Sequence, residues 1–297
     1  MEFLLDQCES LGVKRGVSLS KFSWLDTGGK ADFFFKPNSL VSLIKLMKKI
    51  PINTDLYVLG NGSNILIRDG GIKSLVIKLG PGFADIVDHE EYLEVGAAVL
   101  NSTLSYFCLS QSIIGFAFIS VIPGSIGGGI FMNSGCYGKE FADILFDVTV
   151  VDRSGKVYII PKKEINFSYR CSNLSKDFII IKAKFIKQKG TQDEIKNQML
   201  RFHHDKKKSQ PIIRKTAGST FMNHGEMKAW QLIRELKCDQ ITFGDAMWSK
   251  KHANFLVNMG NATSKDLELL IKTTRNKIYN DKGIYLRLEL KILGSDI

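Results

Sequence analysis

Hydrophobic and polar residues alternate in short runs along much of the chain, which is the pattern of β-strands. The runs are rich in β-branched and aromatic residues and are separated by glycine-containing turns. The predicted strands are Ala31 to Lys36, Leu56 to Leu59, Leu75 to Leu79, Tyr92 to Val95, Val148 to Asp152, Val157 to Ile160 and Phe178 to Ile186.

Other segments carry apolar residues at positions i, i+3, i+4 and i+7, which places them on one face of an α-helix. These sets are Leu40, Leu43, Ile44 and Met47; Ala229, Leu232, Ile233 and Leu236; and Leu267, Leu270, Ile271 and Thr274. Thr263 to Asp266 has the residue order of a capping box, which predicts the start of the third helix. This mixture of elements predicts an α+β protein.

The last segment alternates strictly from Ile284 to Leu293. One face carries Ile284, Leu286, Leu288, Leu290 and Ile292, and the other carries Tyr285, Arg287, Glu289 and Lys291. A period of two residues places the two sets on opposite faces of a strand. The pattern predicts a half-buried β-strand over the whole segment.

The composition changes most sharply between Lys187 and Ser209, where a polar, lysine-rich segment separates a strand-rich region from a helix-richer one. A chain of 297 residues with 44% hydrophobic residues is long enough for two or three domains. We therefore expect a domain junction in this segment.

The charge balance favours anionic partners. The chain has 41 Lys and Arg residues and 30 Asp and Glu residues, a formal net charge of +11. These charges are dispersed, and the densest basic run, Asp205 to Lys208, has no interleaved aromatic residues. We therefore expect phosphorylated small molecules and not nucleic acid.

Cysteine usage and the first residues indicate a reducing compartment. The five cysteines are scattered and form no Cys-x-x-Cys pair, so neither a disulfide framework nor a metal site is predicted. The opening MEFLLDQCES lacks the basic and apolar regions of a secretory signal. We expect a cytoplasmic protein.

No charged residue occurs from Val95 to Gly138, a run long enough to span a bilayer. Polar residues and a proline interrupt it, and its glycines would expose backbone groups that lipid cannot satisfy. The run is better explained as a buried crevice against a bound ligand, and we expect no membrane partner.

Two glycine-bearing turns are the strongest candidates for ligand contact. Residues 121 to 138 place six glycines among apolar residues, and Leu59 to Asn64 reads LGNGSN after a predicted strand. Glycine in such positions costs about 0.5–1 kcal/mol, which a sharp turn or a close approach explains. Neither turn is a Rossmann or P-loop motif. The LGNGSN turn suits a diphosphate, although an ordinary Asn-Gly turn is the default interpretation of this hexapeptide on its own.

Taken in order, these motifs resemble the UDP-N-acetylenolpyruvoylglucosamine reductase family from about Phe22 to Gly294. The matching segments are Thr27 to Asp32, Leu59 to Asn64, Ile122 to Gly128 and Met132 to Gly138. The resemblance implies a flavoprotein of the vanillyl-alcohol-oxidase/PCMH type. Its FAD-binding part would have two lobes, 1–79 with a returning strand 284–297 and 80–208, followed by a substrate domain at 209–283.

The resemblance also implies a cofactor and a reaction. FAD would be bound without a covalent link, and NADPH and UDP-N-acetylglucosamine enolpyruvate would use one site in turn, in peptidoglycan precursor synthesis by a monomer. The implied cofactor-binding residues are Gly60, Asn61, Gly62, Ser63, Asn64, Pro123, Gly124, Ser125, Gly127, Gly128, Asn133, Gly135 and Tyr137.

Three further segments resemble catalytic ones of that family. They contain Arg170, Ser219 and Glu289, with Tyr169 and Asn223 implied as substrate-binding residues. Each has an ordinary structural explanation when taken singly, as an ion pair or a turn hydroxyl. As a set they meet a chemical need. Arg170 and Glu289 can hold the carboxylate and enolate oxygens of an enolpyruvyl ether, and Ser219 can deliver a proton.

The chain departs from the family pattern at several positions. Met222 and His224 replace a Lys and a Pro, Arg287 and Leu288 replace a Glu and a Pro, and Val121 stands where Gly is frequent. The short interval between Arg170 and Pro211 resembles the family type without a substrate-clamping loop.

His252 is expected to pack or cap in the substrate domain.

Two other functions stay open at this stage. One is a different FAD oxidoreductase of the same fold that oxidises an alcohol or a sugar with oxygen. The other is a non-enzymatic binder of anions or nucleic acid, which the net charge of +11 suggests.

Overall fold

The computed structural model describes residues 8–211 and 215–296, so the first seven residues of the opening segment lie outside the described part. The β-strands are β1 Lys14–Ser18, β2 Lys30–Phe35, β3 Leu56–Val58, β4 Ile65–Ile67, β5 Ile72–Ile77, β6 Ile86–Asp88, β7 Tyr92–Gly96, β8 Gly135–Cys136, β9 Lys139–Glu140, β10 Leu145–Val151, β11 Val157–Pro161, β12 Phe167–Ser168, β13 Cys171–Ser172, β14 Ile179–Ile186, β15 Thr216–Ser219, β16 Thr242–Phe243, β17 Ala246–Trp248, β18 Phe255–Asn258 and β19 Lys291–Leu293.

The α-helices are α1 Leu40–Lys49, α2 Asn101–Ser110, α3 Ile126–Phe131, α4 Phe141–Ile144, α5 Gln192–Ser209, α6 Ala229–Glu235 and α7 Ser264–Lys282. Short 3₁₀ helices lie at Glu9–Leu11, Ser20–Phe22, Pro81–Phe83, Ala117–Val121, Lys162–Glu164 and Cys238–Gln240. Within residues 8–211 and 215–296, no helix has the length and apolar character needed to cross a membrane.

The chain divides into two compact units. Unit 1 comprises the described residues up to Arg15 together with 33–61 and 74–206, and unit 2 comprises 16–32, 62–73 and the described part of 207–297. The chain passes from one unit to the other several times. The predicted division into 1–79, 80–208 and 209–283 stays a prediction.

Unit 1 contains an antiparallel sheet in the order β11-β10-β14-β7-β6. One core lies against it, where Phe116 and Phe141 pack on Phe185 with ring centroids 5.8 and 6.2 Å apart. Strand β14 has the sequence IIIKAKFI and is buried along most of its length, as its hydrophobic residues predict.

A second core of unit 1 lies beneath α1. The Ser39 hydroxyl caps this helix by accepting the backbone N–H of Ser42, and Leu43, Leu46 and Met47 form its buried face. Strands β3 and β5 pair in parallel, with Val58 opposite Ile77. Because the two strands run in the same direction, the residues that follow them lie at one edge, where the first glycine turn begins.

Unit 2 contains the antiparallel sheet β15-β18-β17-β16 and a parallel pair of β19 with β4. Thr263 caps helix α7: its hydroxyl accepts the backbone N–H of Asp266 at 3.0 Å, so the predicted capping box is confirmed. Its buried Thr274 hydroxyl bonds to the indole N–H of Trp248 at 3.0 Å. The helix therefore covers one face of the four-stranded sheet.

The periodic patterns predicted seven strands and three helices that are present, but they missed several short strands and the helices α2, α3, α4 and α5. Every strand predicted before residue 187 is present, with ends that differ by three residues or fewer, and the three predicted helices are present. Helix α5 was missed because its composition is polar and only Ile195 and Met199 are buried. Helices α2 and α3 were missed because they lie in the uncharged, glycine-rich run.

The predicted strand from Ile284 to Leu293 is wrong over most of its length, since only Lys291–Leu293 is a strand. Leu286 and Leu290 are buried as the alternation predicts. The backbone is irregular because the carbonyl oxygen of Thr220 accepts hydrogen bonds from two consecutive N–H groups, those of Glu289 and Leu290, at 2.9 and 3.2 Å. A regular ladder gives each carbonyl one such partner, so the strand is interrupted at this point.

Candidate active site

The glycines of residues 121 to 138 serve different purposes in unit 1. A Cβ on Gly129 would overlap the ring of Phe141, and a Cβ on Gly135 would overlap the backbone of Lys139 in the β8–β9 hairpin. Gly124 has φ of 145° and follows Pro123 in the turn before α3. Internal packing and turn geometry account for the lack of a side chain at these glycines, and the predicted contacts of Gly124 and Gly135 with the cofactor stay predictions.

Gly60 and Gly128 form a different environment around Ser125, called here the cradle. A Cβ on Gly60 would lie 2.9 Å from Ser125 Oγ, and a Cβ on Gly128 would lie 3.6 Å from the same atom. Apart from chain neighbours and the backbone of α3, no other described atom lies within 4 Å of either position. Gly127 differs, because its Cβ would meet Ala97 Cβ at 3.1 Å. The cradle thus has an open side at Gly128, whereas at Gly60 only a glycine backbone fits beside the Ser125 hydroxyl.

The LGNGSN turn is divided between the two units. Gly60 and Asn61 belong to unit 1, whereas Gly62, Ser63 and Asn64 belong to unit 2. In unit 2 a Cβ on Gly62 would overlap the carbonyl of Phe22. The Asn64 amide donates to the carbonyl oxygen of Glu289 at 3.1 Å, and the Lys291 N–H donates to the Asn64 carbonyl at 3.1 Å. Asn64 therefore positions the backbone of Glu289.

The side chain of Asn133 lies in the protein interior. Its side chain is fully buried, donates to the carbonyl of Ser168 at 3.1 Å and accepts the N–H of Ala142 at 3.1 Å. A side chain in this position supports the turn that follows Ser168. The predicted contact of Asn133 with the cofactor stays a prediction, and the side chain has this supporting role in addition.

Arg170 lies in the two-residue turn of the β12–β13 hairpin, after Tyr169. Its guanidinium donates to the carbonyl oxygen of Gly135 at 2.8 Å and stacks over the Tyr169 ring at 4.8 Å. Its φ is 58°, and Asn133 and Tyr137 also have positive φ, at 43° and 54°. Non-glycine residues in this region cost free energy and cluster at functional sites. Unit 1 thus brings Arg170 to the second glycine motif.

Tyr137 stacks on Phe202 with ring centroids 4.5 Å apart and an angle of 4°. Its hydroxyl donates to the Phe202 carbonyl at 3.2 Å, and burial raises the pKa of the phenol. The neighbouring Cys136 thiol lies 3.4 Å from the Phe118 carbonyl, and burial raises its pKa to about 11. Burial therefore favours the protonated form of the Cys136 thiol.

Ser219 and Glu289 are tied together within unit 2. Ser219 ends β15, and the next residue, Thr220, accepts the N–H of Glu289 with its carbonyl. The backbone continues this pairing, since the Met222 N–H donates to the Arg287 carbonyl at 2.9 Å. Both Ser219 and Glu289 are partly exposed. The structure thus joins two predicted catalytic residues that are far apart in sequence, on neighbouring backbone segments.

Asn254 is a residue at this link that the sequence patterns did not single out. It is buried, and its amide both accepts the N–H of Phe221 at 3.0 Å and donates to the Phe221 carbonyl at 2.8 Å. The backbone carbonyl of Asn254 accepts the N–H of Thr220 at 2.8 Å. The surrounding sequence KKHANF did not indicate this role, because an isolated Asn is as typical of a turn as of a buried hydrogen-bonding residue.

The neighbouring polar residues of unit 2 have structural partners. The Asn223 side chain accepts the N–H of Ala229, the first residue of α6, at 3.1 Å. The His252 ring packs against Phe255 at 4.8 Å and accepts the Asn254 N–H at 3.3 Å, and burial lowers its pKa. The prediction that His252 packs in this region is confirmed.

Three comparisons place the chain among known proteins. The sequence model described as UDP-N-acetylenolpyruvoylglucosamine reductase, C-terminal domain, matches residues 210–293, and that of an FAD binding domain matches residues 31–160. The UDP-N-acetylenolpyruvoylglucosamine reductases of Rickettsia felis and Rickettsia prowazekii are each 42% identical over 285 residues, with 95% of each chain covered. The UDP-N-acetylenolpyruvylglucosamine reductase structure from Thermus caldophilus matches with a TM-score of 0.84 at 30% identity, over 95% of this chain and 99% of that chain.

The α+β fold, the FAD-domain match and the cradle define an FAD-dependent oxidoreductase. The open space at Gly128 beside the Ser125 hydroxyl fits a cofactor that approaches the backbone closely. The chain belongs to the UDP-N-acetylenolpyruvoylglucosamine reductase family, so the resemblance stated from the motifs is confirmed.

Proposed function

We propose that this protein reduces UDP-N-acetylglucosamine enolpyruvate to UDP-N-acetylmuramate, with NADPH as reductant and FAD bound non-covalently. The observation that carries the proposal is the link between Ser219 and Glu289 through the Thr220 carbonyl, in a chain whose relatives bear the name of this reductase. A hydroxyl and a carboxyl group on joined backbone segments suit a reaction that needs a proton and a hydrogen bond at neighbouring atoms.

The residues of the chain divide the work of the reaction. FAD, when bound, supplies hydride transfer from NADPH to the terminal carbon of the enolpyruvyl group. Arg170 holds the carboxylate of that group, because its planar guanidinium matches two oxygens at once. Glu289 hydrogen-bonds the enolate oxygens, and Ser219 donates a proton to the carbon beside the carboxylate. Tyr169 and Asn223 are assigned to substrate binding.

The glycine turns are assigned to the cofactor. Gly60, Asn61, Gly62, Ser63 and Asn64 form one turn, and Pro123, Gly124, Ser125, Gly127 and Gly128 form the other, with Gly135 and Tyr137 beyond it. The open cradle at Gly60 and Gly128 supports this assignment for unit 1. Asn133 supports the Tyr169–Arg170 turn from the interior.

The proposal extends to the organisation of the protein. We assign FAD binding to residues 1–208 with the returning segment 284–297, and substrate binding to residues 209–283. We further propose that the protein is a monomer and acts in the cytoplasm, where the precursors of peptidoglycan are made.

The flavin spectrum and its two half-reactions test the function. The purified protein is expected to absorb in the visible range, and acid precipitation is expected to release the flavin into the supernatant. NADPH should bleach it under anaerobic conditions, and UDP-N-acetylglucosamine enolpyruvate should restore the colour. A colourless protein that cannot be reconstituted with FAD would contradict the proposal. So would a reduced protein that reacts rapidly with air and ignores the enolpyruvyl substrate, which is the behaviour of an oxidase of the same fold.

A further inference from the structure

The side chain of Lys78 contacts the first glycine turn within unit 1. Lys78 follows β5 directly, and Gly60 follows β3. The parallel pairing of Val58 with Ile77 continues for one more bond, in which the Leu59 N–H donates to the Ile77 carbonyl at 2.8 Å. This register brings Lys78 beside the turn, and its Nζ donates to the carbonyl oxygen of Gly60 at 2.5 Å.

This hydrogen bond fixes the orientation of one peptide group. The C=O of Gly60 and the N–H of Asn61 belong to the same planar trans peptide and point in opposite directions. With the carbonyl held by the ammonium, the N–H of Asn61 faces away from Lys78. No described residue accepts a hydrogen bond from this N–H. A fixed N–H group in a glycine turn is a donor of the kind that binds phosphate oxygens.

The ammonium also places a positive charge beside the turn. Lys78 is half-buried, and burial lowers its pKa, with the nearby charge of Lys36 lowering it further. An anion that binds near Lys78 would favour its charged form and so oppose the lowering of the pKa. Gly60 in turn lies against Ser125 of the cradle, so charge, N–H group and open space occur together.

We propose that Lys78 is a positioning residue for the diphosphate of FAD, which orients the Asn61 N–H toward the phosphates through the Gly60 carbonyl and adds positive charge to the turn. The proposal rests on the proposed function, because it takes the glycine turns to be the FAD site. A diphosphate is also present in NADPH and in the UDP-sugar, so the test must separate the three ligands.

The test is the FAD dissociation constant of apoprotein carrying Lys78→Met, which keeps the length of the side chain and removes the charge. The loss is expected to be about tenfold to a hundredfold, the size of one lost charge-assisted hydrogen bond. Lys78→Arg retains a cationic donor and is expected to recover most of the affinity. Lys36→Met is the matched control, since it removes an exposed charge close to the same site and should change FAD binding by less than threefold.

These experiments can contradict the role of Lys78 while the proposed function stands. An unchanged FAD affinity in Lys78→Met overturns the proposal, and so does an equal loss in Lys36→Met, which would show a general charge effect. With FAD saturating, the KM values for NADPH and UDP-N-acetylglucosamine enolpyruvate should match those of the parent. A raised KM with unchanged FAD affinity would assign Lys78 to one of the other diphosphates. If the Lys78→Met apoprotein does not fold, the Lys78→Arg variant decides. Arginine keeps the positive charge, so a Lys78→Arg protein that folds but no longer binds FAD would contradict a role for the charge.

Discussion

The backbone N–H of Glu289 donates a 2.9 Å hydrogen bond to the carbonyl oxygen of Thr220, the residue that follows Ser219. This bond places the backbone of Glu289 next to the segment that carries Ser219, and these are the two residues to which the proposed proton transfer and hydrogen bond are assigned. It also interrupts the last strand, because the same carbonyl accepts the N–H of Leu290. The irregular backbone is therefore part of the site.

Removing the Ser219 hydroxyl should separate the two half-reactions. Ser219→Ala is expected to bind FAD and to be bleached by NADPH at the parent rate, since that step needs no proton at the substrate carbon. Reoxidation by UDP-N-acetylglucosamine enolpyruvate should slow by about 10²–10⁴-fold, the usual contribution of a positioned general acid. Anaerobic stopped-flow absorbance measures both rates.

Thr216→Val is the matched control for Ser219→Ala. Thr216 begins the same strand, its hydroxyl is buried, and it has no hydrogen-bond partner among the described residues. Removing that hydroxyl should leave both half-reactions unchanged. Parent-like reoxidation in Ser219→Ala would show that Ser219 is not the proton donor.

Asn254 should influence the reaction through the Thr220 link. Asn254→Ala removes the amide that holds both backbone groups of Phe221, so the backbone segment that joins Ser219 to Glu289 is less constrained. We expect a lower rate of the second half-reaction with an unchanged rate of bleaching by NADPH. The loss of the buried hydrogen bonds should also cost about 1–3 kcal/mol of stability.

Asn258→Ala distinguishes a loss of position from a loss of stability. The Asn258 side chain is equally buried and bonds to the Leu25 carbonyl and to the N–H groups of Gly260 and Ala262, away from Ser219. A similar loss of stability with a normal second half-reaction is expected. Equal slowing in both variants would refute a positioning role for Asn254.

The glycines of α3 should divide into two groups on substitution by alanine. Gly128→Ala points a methyl group into the cradle, so it should weaken FAD binding while the apoprotein keeps or gains stability, because alanine favours a helix. Gly129→Ala points the methyl group into the Phe141 ring, so it should destabilise the apoprotein by about 1–3 kcal/mol. FAD titration and urea unfolding of the apoproteins measure the two effects. Equal FAD affinity in a folded Gly128→Ala variant would remove the cradle from the cofactor site.

Acid should weaken unit 2 through Glu268. The hydrogen bond from Arg68, at 2.8 Å, holds the pKa of the buried Glu268 carboxyl below its usual range. Because the folded state favours the carboxylate, this stabilisation is present above the ordinary glutamate pKa of about 4.3 and is lost as the pH falls through the lower pKa of the folded protein.

Urea unfolding at pH 7 and pH 4 measures this effect. Glu268→Gln is expected to lose about 1–3 kcal/mol at pH 7 and to depend less on pH than the parent. Glu235→Gln is the control, because its partner Lys282 and Glu235 itself are exposed and such pairs contribute little. An identical pH dependence in the parent and Glu268→Gln would show that another group controls acid unfolding.

Local patterns predicted those features that depend on neighbouring residues in the sequence. The apolar spacing of Leu40 to Met47 and the capping box at Thr263 describe contacts within one or two turns of a helix, so both were found. Helix α5 was not found, because only two of its residues are buried and its stability depends on packing. The last strand was predicted too long, because its alternation describes burial and not the bonds made by the backbone.

The sequence by itself determined the family, the order of the motifs and the identity of the residues to which the chemistry is assigned. Only the tertiary structure decided what each of them contacts. It packed Phe141 against Gly129 and Lys139 against Gly135, placed Gly60 beside Ser125 with an open side at Gly128, and turned the Asn133 side chain inward. It also joined Thr220 to Glu289 and brought Lys78 to Gly60. The physical reason is that periodicity reports which face of an element is buried, whereas a hydrogen bond between residues distant in sequence depends on how the elements pack.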